Sequence, residues 1–230
     1  MPKISRFYRC HVKFQRMAFR GKSQSKWFLA SLLLLLLIPF PMLLFPNGKQ
    51  LVFEVVLTLV VFFGVQLISD TLRHFTIGMT LGCSSIALIW LGFFQELPFM
   101  VKVLKPVAIC TFLIYLSYYL FNFVGTKKVV DANMILVSIS GYLLIGLFGG
   151  QLFYVLYLTM PESFSGTAEK PLFTLTYYSF TTLTSLGFGD ILPQTQAAQS
   201  LSLMVALAGE LYITILVGII VGKYLMQKQA

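Results

Sequence analysis

The sequence predicts an all-α membrane protein: six transmembrane helices with a re-entrant helix and loop between the fifth and sixth. Three observations carry this. The 230 residues are 57% hydrophobic and only 11% charged, with a mean hydropathy of +0.84, outside the range of soluble globular domains. Apolar stretches near the ~20 residues that a bilayer requires recur along the chain. Among them sits TTLTSLGFGD, Thr181 to Asp190, where glycines, hydroxyl side chains and an acid gather at a depth that a lipid-facing helix would fill with Leu and Val.

Residues 1–26 form a basic tail. Lys and Arg number 17 against 8 Asp and Glu, and eight of the cations precede Trp27 with no acid among them. Beside a hydrophobic span this points to cytoplasmic retention and to anionic lipid of the inner leaflet, and away from nucleic acid. Lys3, Arg6, Arg9, Lys13, Arg16 and Arg20 recur every three or four residues, opposite Ile4, Phe7, Tyr8, Val12 and Ala18. That spacing reads as an amphipathic helix on the membrane surface; a disordered topogenic tail is the other reading. No small-residue cleavage pattern follows Phe28 to Phe45, so a retained first helix is expected, kinked at Pro39 and Pro41.

Hydropathy places spans at 27–46, 51–69, 76–95, 106–124, 134–158 and 197–222. The first four, within 27–124, read as a scaffold; residues 134–223 read as a second domain. With the tail inside, six crossings leave both termini cytoplasmic, in a plasma or bacterial inner membrane. Between Pro106 and Val124 there is no charged residue, and Lys102 and Lys105 fall in the loop before the span. A charge crossing the field contributes about 2.3 kcal/mol per 100 mV, so without such charges no steep voltage switch is expected. Glu54 lies inside the second span with a partner the sequence does not name. Cys10, Cys83 and Cys110 have no metal-ligand spacing and read as small apolar filler; His11 and His74 read as interfacial residues. No cofactor and no enzymatic role are expected.

Pro171 suits the first turn of a helix, and 171–183 reaches about 20 Å at 1.5 Å per residue, too short to cross. A half-helix followed by irregular backbone survives at membrane depth only when buried in protein or lining water. Glycine tolerates the positive φ angles that turn successive carbonyls to one side, so SLGFG can present a column of oxygens. One column cannot surround an ion, but four around an axis give rings that replace a cation's water.

TTLTSLGFGDILP resembles the pore-helix end and selectivity filter of the potassium channel superfamily, whose usual form is Thr-Thr-Val-Gly-Tyr-Gly-Asp. The resemblance covers roughly 134–223 and implies an outer helix (134–158), pore helix (171–183), filter (184–190) and inner helix (197–223) in a homotetramer, each chain joined by three identical subunits. It implies that Thr184, Ser185, Leu186, Gly187, Phe188 and Gly189 bind the permeant potassium ion, that Asp190 braces the filter, that Tyr177 and Tyr178 pack around it, and that Gly209 is an inner-helix hinge. Ser185 departs from threonine, Leu186 from a smaller branched residue, and Phe188 lacks a hydroxyl. Glu210 faces the central cavity, bonds to a neighbouring helix, or is an acid that burial keeps protonated. The function implied is a passive potassium channel. The alternatives are a nonselective cation channel and, from Gly-Phe-Gly-Asp, an intramembrane aspartyl protease needing a second carboxylate from Asp70 or Asp131.

Overall fold

A computed structural model describes residues 21–37, 49–68, 72–94, 98–127, 129–167 and 171–229. Its helices are α1 (Gly21–Leu36), α2 (Lys49–Leu67), α3 (Leu72–Phe94), α4 (Phe99–Thr126), α5 (Ala132–Thr159), α6 (Pro171–Leu183) and α7 (Gln196–Gln229). A 3₁₀ turn, Pro161–Ser163, follows α5, and two strands, β1 (Phe164–Ser165) and β2 (Leu192–Pro193), pair antiparallel on either side of α6. Among the described residues four helices are long and apolar enough to cross a membrane: Leu72–Phe93, Phe99–Thr126, Ala132–Thr159 and Gln196–Lys228; the apolar parts of α1 and α2, Gln24–Leu36 and Leu51–Leu67, are shorter.

α5 is the centre of the packing, touching α1, α4, α6 and α7, while α1 to α4 pack in sequence against one another. Its start is set by Asp131, whose carboxylate accepts from the Met134 amide at 2.9 Å and pairs with Lys127 at 2.8 Å, satisfying a helix-end donor and offsetting the positive end of the helix dipole. Its glycines are there for close approach. A β-carbon on Gly150 would stand 2.8 Å from the Thr176 Cα, and one on Gly146 would stand 2.3 Å from the Phe180 ring. α6 therefore lies backbone-close against α5, and the Ser179 hydroxyl donates to the Gly146 carbonyl at 2.7 Å.

α4 begins earlier than the hydropathy reading allowed. Pro98 precedes its first turn, and Pro106 sits inside the helix. Lys102 and Lys105 are thus helical residues, not loop residues: Pro106 forfeits its bond to the Lys102 carbonyl, and packing against neighbouring helices lets the helix run through it. The shift supplies the partner of Glu54: the Lys105 ammonium pairs with its Oε1, both side chains largely buried between α2 and α4. Of the cysteines, Cys110 is buried filler, whereas Cys83 is exposed on α3. His74 is tied to the Tyr115 hydroxyl at 2.8 Å.

Candidate functional site

α6 ends at Leu183, and the chain then folds back on its last turn. The amides of Leu186 and Gly187 both donate to the Thr181 carbonyl, at 2.9 and 3.2 Å, Ser185 donates to Thr182 at 3.0 Å, and Thr184 to Phe180 at 3.0 Å. The carbonyls at the helix C-terminus thus take up the amides of the following segment. Ser185, Gly187 and Gly189 have φ of 57°, 50° and 78°. Alternating left-handed residues with ordinary ones reverses every second peptide plane, which undoes the alternation of a strand and turns successive carbonyls to one side. Gly187 and Gly189 have nothing within 4 Å of an added β-carbon, so their glycines answer to φ, not to space.

Ser185 is the one non-glycine residue with positive φ among the described residues. Its hydroxyl donates to Glu210 Oε1 at 2.9 Å. Glu210 is brought there by Gly209, where an added β-carbon would lie 2.3 Å from the Leu183 carbonyl oxygen. The absent side chain lets α7 close on the end of α6, and α7 runs unbroken through it. Tyr142, on α5, donates to the same Leu183 oxygen at 3.2 Å.

Tyr177 and Tyr178 part company. The Tyr177 ring stacks on Phe188, 6.5 Å between centroids and 2° from parallel. Tyr178 is turned inward instead, packed on Phe153 and Phe164 and bonded to the Ser202 hydroxyl at 2.8 Å. Thr184 to Asp190 are all exposed on the single chain, Leu186 and Phe188 by 62% and 66%. Asp131 stands at the opposite end of α5, about 40 Å away along a 28-residue helix, and does not join Asp190; Asp70, Cys10, His11, Pro39, Pro41 and the cations Lys3, Arg6, Arg9, Lys13, Arg16 and Arg20 lie outside the described residues.

Other supports were not read from the sequence. β1 and β2 pair Phe164 with Pro193 and Ser165 with Leu192, the Gln194 amide donates to Ser163 at 2.8 Å, and the Gln194 side chain donates to the Ser165 hydroxyl at 2.9 Å. Gly166, with φ of 78°, has room for no β-carbon: one would lie 2.2 Å from the Asp190 carbonyl oxygen. The Ser-Gly pair at 165–166 was the available signal, since such pairs mark turns.

Comparison with protein families matches residues 139–226 to the family described as "Ion channel". Comparison with curated proteins gave no match, and comparison with solved structures gave none. The match begins in α5 and ends in α7, taking in α6 and the whole Thr184–Asp190 segment; α1 to α4 lie before it. With its long apolar helices the chain is an integral membrane protein, and the residues that build this site lie within the stretch, 139–226, that is similar to the ion channel family.

Proposed function

We propose that the protein is a passive, potassium-selective channel, a homotetramer with six crossings per subunit in which α6 is the pore helix, 184–190 the filter and α7 the inner helix. The observation that carries the reading is the alternation of left-handed φ at Ser185, Gly187 and Gly189 together with amides bonded back onto α6. Oxygens turned to one side of a single strand coordinate little, whereas four strands around an axis replace a hydration shell. The exposed Leu186 and Phe188 side chains and the bare face of α7 supply the apolar surface that such copies would cover. α6 also directs its negative end toward the inner side of the filter, favouring a cation there.

Gating by voltage is weak in this reading. The charges on α4 lie in its first turns, Lys105 is neutralised by Glu54, and Pro106 to Val124 carries none. Both termini face the cytoplasm, with the basic tail on anionic lipid.

Ion flux from proteoliposomes, comparing potassium, rubidium and sodium, tests the proposal. Potassium and rubidium are expected to pass and sodium to be excluded. Equal sodium and potassium flux reduces the protein to a nonselective cation channel, and absence of flux removes the channel reading.

A further inference from the structure

We infer that Glu210 is a positioning residue for the innermost cation site, acting through the Ser185 hydroxyl rather than as a free charge in the cavity. The inference rests on the channel reading above and adds a role that reading does not contain. Ser185 occupies a left-handed conformation, in which a β-branched threonine is badly strained. Serine relieves that conflict and creates another, because a hydroxymethyl group without the second branch has three staggered wells to choose from. Glu210 Oε1, 2.9 Å from Ser185 Oγ, selects one of them by accepting its hydrogen bond.

The direction of that bond matters. A carboxylate is an acceptor only, so the hydroxyl must donate, which leaves its oxygen lone pairs for a cation. Glu210 is itself held where this bond needs it. The contact of Gly209 with the Leu183 carbonyl fixes α7 two residues before Ser185, and the Thr214 hydroxyl bonds the Glu210 carbonyl at 2.8 Å. Sequence reasoning offered Glu210 a cavity, a neighbouring helix or protonation by burial; its partner is Ser185, the second residue past the end of α6.

Variants that separate charge from geometry test this in the full-length protein in proteoliposomes, read by rubidium flux, the sodium-to-rubidium ratio and block by internal barium, a divalent ion of potassium's size. Glu210→Gln keeps an acceptor at the same reach and is expected to stay within about twofold of wild type in barium block. Glu210→Asp keeps the charge but falls one methylene short, and is expected to weaken block about tenfold and admit more sodium, as is Glu210→Met. Ser185→Ala should give the same loss, with no further loss when Glu210→Met is added. If Glu210→Asp behaves as wild type while Glu210→Gln loses block, or if the Ser185→Ala and Glu210→Met losses multiply, the inference is overturned while wild-type flux leaves the channel intact. Where Glu210→Met does not assemble, the Gln and Asp variants decide alone. No flux from wild type overturns the channel reading and this role with it.

Discussion

α5 and α7 are the two long apolar helices of the stretch similar to the ion channel family, and the chain treats them oppositely. In α5, 56% of the apolar window is buried within the chain; in α7 the share is 11%. Hydropathy does not account for this, since α7 is the more apolar by that measure, 2.3 against 1.8. The difference lies in small residues. α5 spaces Gly141, Gly146, Gly149 and Gly150 so that Tyr212, Phe180, Ser179 and Thr176 can reach its backbone, whereas α7 presents Leu203, Met204, Leu207 and Leu211 outward. A helix meant for its own chain is carved for close contact, and one left bare is completed from outside it, by lipid or by other copies.

The sharpest way to break this contrast is on α5. Gly150→Val would drive methyl groups into the Thr176 backbone, which cannot step aside, and is expected to cost ~3 kcal/mol or more, read as loss of the folded species in detergent by thermal unfolding. Gly209→Ala comes next, because the Leu183 carbonyl leaves no space for a methyl; a loss of about 2 kcal/mol with loss of flux is expected. Gly218 on the same helix has open space around it, so Gly218→Ala should be neutral or stabilising by up to ~1 kcal/mol. If the two alanines behave alike, Gly209 serves bending and not contact.

On the bare face, Leu203→Ala with Leu207→Ala should leave the single chain folded and weaken its association, measured by crosslinking and light scattering. Unchanged association would assign that face to lipid. The smallest effect is expected where α7 is tied back to the scaffold. Lys223 donates to the carbonyls of Val124, Gly125 and Lys127 at 2.7, 2.8 and 2.7 Å, a cation capping the C-terminus of α4. Lys223→Met should lower thermal stability by about 1 kcal/mol and loosen α4 from α7, seen as faster amide exchange at 124–127.

Much of the helical plan was legible because its causes are local. Pro171 announces α6, and hydropathy finds α3, α5 and the start of α7 to within a few residues, whereas α7 continues to Gln229, past the 222 at which the apolar stretch ends. What stayed hidden depended on distance along the chain or on dihedral angles. Pro106 looked like a helix start because nothing nearby revealed Pro98 as the real boundary. Glu54 and Lys105 meet across 51 positions, a separation no periodicity reports. The glycines of SLGFG advertised left-handed backbone, but Ser185 carries the same conformation without a residue type that signals it. The contact of its hydroxyl with Glu210 follows only once Gly209 has brought α7 against Leu183. Tyr177 and Tyr178 are neighbours in sequence, and a helical step of about 100° sends one to Phe188 and the other to Phe153.

The short ladder between Phe164–Ser165 and Leu192–Pro193 has a mechanical corollary. Thr159, the last residue of α5, is joined to it through the brief Pro161–Ser163 turn, and Gly166 rests directly on the Asp190 carbonyl. A tilt of α5 at that end is therefore passed to Asp190 through the turn, the hydrogen bonds of the ladder and the Gly166 contact. Strain on the helix bundle at that end thus has a path to the 184–190 segment that does not run through α7.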